Sequence, residues 1–311
     1  MNYHLAPMMG YTDCYFRLLA EKLYKSQITT FSEMIVDKAI IHNEIKTIDK
    51  HFIVNNTSAI QIAGSEPKEI KLAIQKLNQI DRINHINLNL GCPSSRVQEN
   101  KLGLALTQYP NSVRECLHAL KTYNKKISVK CRLGLGLEED QNYIFEYLDM
   151  FQEFEIKTVY IHCRNGVLNL DTKKNRTIPK INYELFLKCK EEFSNMELIP
   201  NGEINDLETI NHLSDNNINQ FMIGRQFAND LLFIEKLGLI EINNKFEIIS
   251  DYLDSFEDYK YLNLNLLKKA IFTLLSKVKG AKKIKKDISE ADSIIKVKNI
   301  FESNQIWNLK N

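Results

Sequence analysis

The sequence predicts a (β/α)8 barrel of the TIM type followed by a small helical bundle, and three observations carry that reading. Short β-branched or apolar runs recur eight times between residues 3 and 223. Segments with helical spacing of apolar residues separate them, and from about residue 230 onward helix follows helix with no further strand. Strand alternating with helix implies a parallel sheet, and eight such units are the number that closes into a barrel.

The strand segments are, in order, Tyr3 to Met9, Gln27 to Met34, Ser58 to Ala63, His85 to Leu90, Lys126 to Leu133, Thr158 to Arg164, Met196 to Pro200 and Asn219 to Ile223. Each is a short β-branched or apolar run of the kind that suits a strand covered on both faces. Helical spacing is clear in Pro67 to Asn78, where Ile70, Leu72, Ala73 and Leu77 recur, and in Ser112 to Tyr123, Gln141 to Phe154, Tyr183 to Phe193 and Asp206 to Ser214. In the tail the helical segments include Leu262 to Val278 and Ser293 to Phe301. The predicted boundary lies near residue 235, giving a barrel over 1–235 and a helical bundle over 236–311.

Composition excludes several classes. Lys and Arg total 41 against 39 Asp and Glu, a net charge of +2, so any surface for a polyanion must be local. The six cysteines (14, 92, 116, 131, 163 and 189) are scattered without a C-x-x-C pair, which points away from a zinc site or a disulfide framework. No signal-peptide pattern and no run of roughly 18 apolar residues is found, so neither a membrane nor a metal partner is expected and a cytoplasmic protein is.

Barrel enzymes build their sites at the C-terminal ends of the strands. Here those ends carry Pro7, Met8, Met9 and Gly10, then Gln61, then Asn89 and Gly91-Cys92-Pro93, then Lys130 and Arg132, then His162 and Arg164, then Asn201-Gly202, and last Gly224-Arg225. Any one of these has a bland reading as a satisfied core residue or a tight turn, but their joint position at one mouth marks a site. Glycines after the last two strands allow backbone N–H groups to approach a phosphate, and Arg225 adds charge. A dinucleotide fingerprint is absent, since Gly134-Leu135-Gly136 runs on to Glu139 where a third glycine is required. A Lys and a His on neighbouring strands, without paired carboxylates, suit a flavin whose reduced ring needs positive charge nearby.

Six segments carry a resemblance to a known family: Ala6-Pro7-Met8-Met9-Gly10-Tyr11-Thr12-Asp13, Asn87-Leu88-Asn89-Leu90-Gly91-Cys92-Pro93-Ser94-Ser95-Arg96-Val97-Gln98, Val129-Lys130-Cys131-Arg132-Leu133-Gly134, Ile161-His162-Cys163-Arg164, Lys173-Lys174-Asn175-Arg176-Thr177-Ile178-Pro179, and Gly280-Ala281-Lys282-Lys283-Ile284-Lys285-Lys286. In these the chain resembles the bacterial tRNA-dihydrouridine synthases, and through the Lys-Asn-Arg-x-Ile-Pro stretch the branch that modifies the D-loop at about position 20. The resemblance implies FMN as cofactor, NADPH as electron donor and tRNA as partner; a monomer is expected because tRNA is itself the large partner. It assigns the flavin to Pro7, Met8, Met9, Gln61, Lys130 and His162, and its phosphate to Asn201, Gly202, Glu203, Gly224 and Arg225. It assigns the RNA to Asn89, Asn175, Arg176, Lys282 and Lys285. The chain departs from the family pattern at Asn100, Leu102, Asn165 and Glu203; a second glycine is usual where Glu203 stands and a lysine is common where Asn165 stands.

Reducing the C5=C6 bond of uracil needs a hydride at C6 and a proton at C5. A flavin supplies the first, and a thiol, protonated near neutral pH, suits the second. Cys92, on the loop after the fourth strand segment, is the candidate acid, whereas Cys116 and Cys189 fall on helical patterns as inert packing residues. A flipped-out base costs a few kcal/mol, which contacts to the phosphate backbone must offset; the run Lys277, Lys279, Lys282, Lys283, Lys285 and Lys286 is the local basic patch for them. Three other readings stand beside this one, the first being the same reaction at another position of the D-loop. A flavin barrel acting on a free pyrimidine leaves that patch and the Lys174-Asn175-Arg176 loop without a role, and a non-catalytic RNA-binding protein leaves Cys92, Lys130 and His162 without one.

Overall fold

Nine parallel strands form one sheet in the computed structural model, which describes residues 1–49, 58–257, 259, 262–276, 278 and 280–304. They are β1 Asn2–Leu5, β2 Ile28–Thr30, β3 Ile35–Val36, β4 Ile60–Ala63, β5 His85–Asn89, β6 Lys126–Arg132, β7 Thr158–His162, β8 Glu197–Asn201 and β9 Gln220–Ile223, in the order β2-β1-β9-β8-β7-β6-β5-β4-β3. A parallel bridge between Phe31 and Ala59 closes the ring: the Ser32 amide donates to the Ala59 carbonyl at 2.9 Å and the Ala59 amide to that of Thr30 at 2.8 Å. The sheet is therefore an eight-staved barrel in which β2 and β3 are two halves of one broken stave, the first pairing with β1 and the second with β4. The single strand expected over Gln27 to Met34 is corrected accordingly. The first strand stops at Leu5 rather than Met9, because Pro7 has no N–H to donate and Gly10 turns the chain at a φ of +75°.

The helices are α1 Cys14–Tyr24, α2 Asp37–His42, α3 Ile45–Asp49, α4 Pro67–Leu77, α5 Ser95–Glu99, α6 Pro110–Leu120, α7 Gln141–Glu153, α8 Tyr183–Glu192, α9 Leu207–Asp215, α10 Arg225–Asn229, α11 Phe233–Lys236, α12 Lys245–Asp254, α13 Leu264–Leu274, α14 Ala281–Glu290 and α15 Ile294–Asn304. Their starts follow ordinary capping chemistry. Asp13, Asn182 and Asp206 accept from the backbone N–H three residues on, and Pro67 and Pro110 sit at the first helical position, where a missing N–H costs nothing.

Alternation along the strands sorts the side chains. Outward residues such as Leu5, Ile60, Ile62, Ile86, Leu88, Val129, Val159, Ile161 and Leu198 join the large apolar core under the helices. Inward residues Ala6, Phe31, Ala59, Tyr160, Ile199 and Met222 form a second, separate apolar layer in the lumen. Two residues further along each strand, on the same inward face, the sequence places Met8, Gln61, His162, Asn201 and Gly224. The apolar layer thus forms a floor, and a polar rim stands above it at the C-terminal mouth.

The large core continues into the tail. Helix α1 carries it: Tyr15 packs on Phe256 with ring centroids 5.0 Å apart, and its hydroxyl accepts from the Asn263 amide at 2.6 Å. Leu267, Ile271 and Leu274 of α13, with Ile288 of α14 and Val297 of α15, belong to the same cluster as the barrel residues. No helix among the described residues is long and apolar enough to cross a membrane.

Candidate active site

The turn after β5 is held from within. Asn89, 8% exposed, accepts through Oδ1 from the backbone amides of Gly91 at 3.1 Å and Cys92 at 3.0 Å, while its Nδ2 donates to Gln61 Oε1 at 2.8 Å. This fixes the Cys92 main chain and leaves its thiol half-buried at the mouth, 3.6 Å from the Ser94 hydroxyl. Of the other cysteines, Cys116, Cys131, Cys163 and Cys189 are fully buried, and burial pushes the thiols of Cys116, Cys131 and Cys189 up to about 12. Asn89 is accordingly a residue that seats Cys92 and Gln61; this is the part of its role that the geometry shows.

Gly103 closes over the same turn. Its φ is +57°, and a Cβ there would lie 2.8 Å from the Cys92 carbonyl oxygen and 2.9 Å from Val97 Cγ1, both in the turn and its short helix. Gly103→Ala is expected to cost about 1–3 kcal/mol in urea unfolding, since the left-handed conformation and the clash add.

Lys130, His162 and Asn201, on the next three strands, form the adjoining wall. Asn201 donates through Nδ2 to the Met222 carbonyl at 2.8 Å, so its Oδ1 is the atom left to accept, from Lys130 Nζ at 2.8 Å and from His162 Nδ1 at 3.1 Å. His162 therefore carries its proton on Nδ1. Burial, reinforced by the charges of Arg132, Lys130 and Arg164, holds its pKa well below the usual imidazole value, so the ring is neutral. Of this pair, the positive charge therefore sits on Lys130 and not on His162. Asn201 thus orients Lys130 and His162 through Oδ1 while one N–H of Nδ2 ties it to β9.

Lys130 is half-buried and has no carboxylate partner among the described residues. Burial, then the neighbouring Arg132, lowers its pKa to about 8. A desolvated cation without a counter-charge, beside a carboxamide and a neutral imidazole, is a donor set for an anionic, planar group.

At the ends of β8 and β9 glycines let the backbone pass close to its neighbours. Gly202 has a φ of +113°, and a Cβ there would meet Ile181 Cδ1 at 2.9 Å and His162 Nε2 at 3.2 Å, so the position admits glycine only. Glu203 follows at φ +50°, and its exposed carboxylate pairs with Arg164, a fully buried side chain that also donates to the Pro179 carbonyl at 2.6 Å. That pairing turns the negative charge toward Arg164 instead of leaving it free at the turn. Gly224 faces Met8, whose sulfur would lie 3.3 Å from a Cβ there, and Arg225 is exposed at the start of α10. Met9 is 63% exposed, and Pro7 and Met8 are half-buried at the rim.

Arg132 is a residue whose importance sequence reasoning did not single out. It is buried, and it ties three loops by donating to the Gly91 carbonyl at 2.9 Å and to the carbonyls of Asn165 at 2.8 Å and Asn175 at 3.4 Å. The signal was present: Lys130 and Arg132 share one face of β6. Asn165, in turn, fastens the loop after β6 by donating to the Glu138 carbonyl at 2.7 Å. Asn175 is a correction. Expected to touch RNA, it is completely buried, accepting from the Val167 amide at 2.8 Å and donating to the carbonyls of Val167 at 2.8 Å and Leu170 at 3.0 Å. It shapes the loop that presents its exposed neighbour Arg176.

In the tail, Ala281, Ile284 and Ile288 bury one stripe of α14, leaving Lys282 and Lys283 exposed and Lys285 half-buried. None of these three has an acidic partner among the described residues, whereas Lys286 lies 3.9 Å from Glu290. Lys277 and Lys279 lie outside the described residues.

A parallel barrel whose mouth gathers a thiol, a desolvated lysine and glycine turns after its last two strands has the make-up of a barrel oxidoreductase. The sequence profile of the dihydrouridine synthases (Dus) matches residues 4–304, and the chain belongs to that family. Among relatives, the tRNA-dihydrouridine(20/20a) synthase of Pseudomonas putida is 29% identical over 75% of this chain and 70% of its own. That of Xanthomonas campestris is 28% identical over 84% and 78%, and one from Xylella fastidiosa 31% over 73% and 66%. Morphinone reductase shares the fold, with a TM-score of 0.51 at 10% identity over 76% of this chain and 85% of its own.

Proposed function

We propose that this protein reduces uridine at position 20 or 20a of the tRNA D-loop to 5,6-dihydrouridine, with FMN in the barrel mouth, NADPH as electron donor and Cys92 as the acid. The names of the relatives support the position, and one observation carries the chemistry: the thiol of Cys92 and the ammonium of Lys130 stand on neighbouring strand ends around one polar rim. When bound, the reduced flavin supplies the hydride that C6 of uracil accepts. Cys92 gives its proton to C5, and Asn89 keeps the thiol on the side from which it is delivered. Lys130 stabilises negative charge on the ring system, Gln61 borders its edge, and His162 presents the lone pair of Nε2. Pro7, Met8 and Met9 line the face, and the backbone of Gly202, Glu203 and Gly224 with Arg225 holds the phosphate.

The RNA side rests on Arg176 beside the mouth and on Lys282 and Lys285 in the tail. Lys282 lies in the first turn of α14, where a cation works against the helix dipole unless an anion binds there, which favours a phosphate contact over a merely solvated face. In this reading residues 1–235 form the catalytic unit and 236–311 the RNA-binding unit of a monomer.

The test is the visible spectrum of the purified protein together with dihydrouridine mapping in tRNA from a strain lacking the gene. A yellow protein whose return restores the modification at 20 or 20a supports the reading; a colourless protein, or tRNA unchanged by its loss, sinks it. Replacing both Lys282 and Lys285 by alanine is expected to weaken tRNA binding and to lower the slope of log affinity against log salt by about 1.5–2. Turnover at saturating tRNA should stay within about twofold.

A further inference from the structure

A continuous line of hydrogen bonds runs inside the barrel from the Cys92 turn to its base. Asn89 Nδ2 donates to Gln61 Oε1 at 2.8 Å, Gln61 Nε2 to Asn87 Oδ1 at 2.8 Å, and Asn87 Nδ2 to Ser128 Oγ at 2.8 Å; Ser128 Oγ then lies 2.6 Å from His85 Nε2. None of the five residues is more than 8% exposed. His85, Asn87 and Asn89 are successive inward positions of β5, with Gln61 beside them on β4 and Ser128 on β6.

The direction of this line follows from one fixed end. Backbone amides can only donate, so the Asn89 atom that faces Gly91 N and Cys92 N must be oxygen. Its nitrogen therefore faces Gln61, which must answer with oxygen, and the same alternation passes through Asn87 to the Ser128 hydroxyl. Having accepted from Asn87, that hydroxyl has its own proton to give, and His85 Nε2 is its remaining partner. Burial keeps the imidazole neutral, its pKa pushed down to about 3, and its ring lies edge-on to Phe31 with centroids 5.7 Å apart.

We infer that Asn87 and Ser128 are positioning residues for the reaction, transmitting the polarity of the Cys92 turn to a His85 held as the Nδ1–H tautomer. Asn89 turns the oxygen of Gln61 toward the Cys92 turn, and Asn87, seated by Ser128, reinforces that orientation by accepting from Gln61 Nε2, so that a ligand in the mouth meets this carboxamide in one orientation only. The assignment of a function to this lock rests on the proposed activity; the lock itself does not.

The test separates the two. In the protein with 15N-labelled histidine, the His85 proton is expected on Nδ1. Asn87→Asp supplies a group that can only accept, which takes the Ser128 proton and forces His85 to donate instead, so the proton should move to Nε2. An Nε2–H tautomer in the unmodified protein, or one that Asn87→Asp leaves unchanged, overturns the inference. Should the carboxylate prevent folding, Ser128→Ala gives the second reading, since it should leave His85 as a mixture of tautomers, and a single unaltered Nδ1–H form would overturn the inference. Asn87→Ala is then expected to lower kcat by about tenfold, the worth of one hydrogen bond, with KM for tRNA within about twofold. A kcat unchanged by Asn87→Ala in an active enzyme overturns the positioning role, whereas an inactive parent with the expected tautomer shift points to failure of the proposed activity.

Discussion

Replacing Cys92 by alanine is expected to slow dihydrouridine formation by about 10^2- to 10^4-fold, the range typical for loss of a positioned general acid. Flavin affinity and spectrum should stay within about twofold, because Asn89 grips the main chain of the turn and not the thiol. The measurement is single-turnover reduction of tRNA by the prereduced enzyme, read beside flavin titration of the same preparation. Oxidation of the reduced enzyme by tRNA at the parental rate in the variant would remove Cys92 from the chemistry.

Lys130→Met is the second large effect, and its two consequences have opposite sign. The ammonium loses hydration on folding and falls from 10.5 to about 8, with Asn201 Oδ1 as its hydrogen-bond acceptor. A pKa below that of the unfolded chain means that the unfolded state holds the proton better. The penalty is therefore complete below pH 8, and stability without flavin rises as the pH climbs from 8 to 10.5. Removing the charge should raise the Tm of flavin-free protein by about 2–4 °C at pH 7 and flatten that rise. The same substitution should weaken flavin binding by about 10- to 100-fold, as expected for loss of a charge-assisted contact. Thermal melts across this pH range with and without FMN check both arms. A variant less stable than the parent without flavin would show that Lys130 is a structural residue, not one held in reserve for an anion.

The centres of the staves could be read directly because burial on both faces writes a continuous apolar run, and the inward positions could be counted from them. Their ends could not. Pro7 and the turn at Gly10 shorten the first strand, and β3, at two residues, is too brief to write a pattern. Site residues divide in the same way. Gln61, Lys130 and His162 lie where strand ends predict, since alternation alone fixes their face. Asn175 reads as an RNA contact because a carboxamide looks alike whether it meets a ligand or a carbonyl, and its partner Val167 is decided by tertiary packing, as is the tie of Asn201 to Met222. The charge of His162 depends on burial and on neighbours from other strands, which a linear sequence does not display. Asn87 and Ser128 share the periodicity of Asn89 and Lys130, yet only the three-dimensional register shows that they touch.

The loop bordering the mouth is clamped at Gly10 from two sides. Its amide donates to Glu33, on the connector between the halves of the broken stave, and its carbonyl accepts from Lys269 of α13, whose ammonium also lies 4.6 Å from the centre of the Tyr11 ring. The rim of the reaction chamber and the helices of the tail are thereby fixed to one frame. Under the proposed function, a protein built in this way works as a ruler: with the RNA backbone seated at one end and the thiol at the other, it selects a uridine by its distance along the folded tRNA and not by the letters on either side.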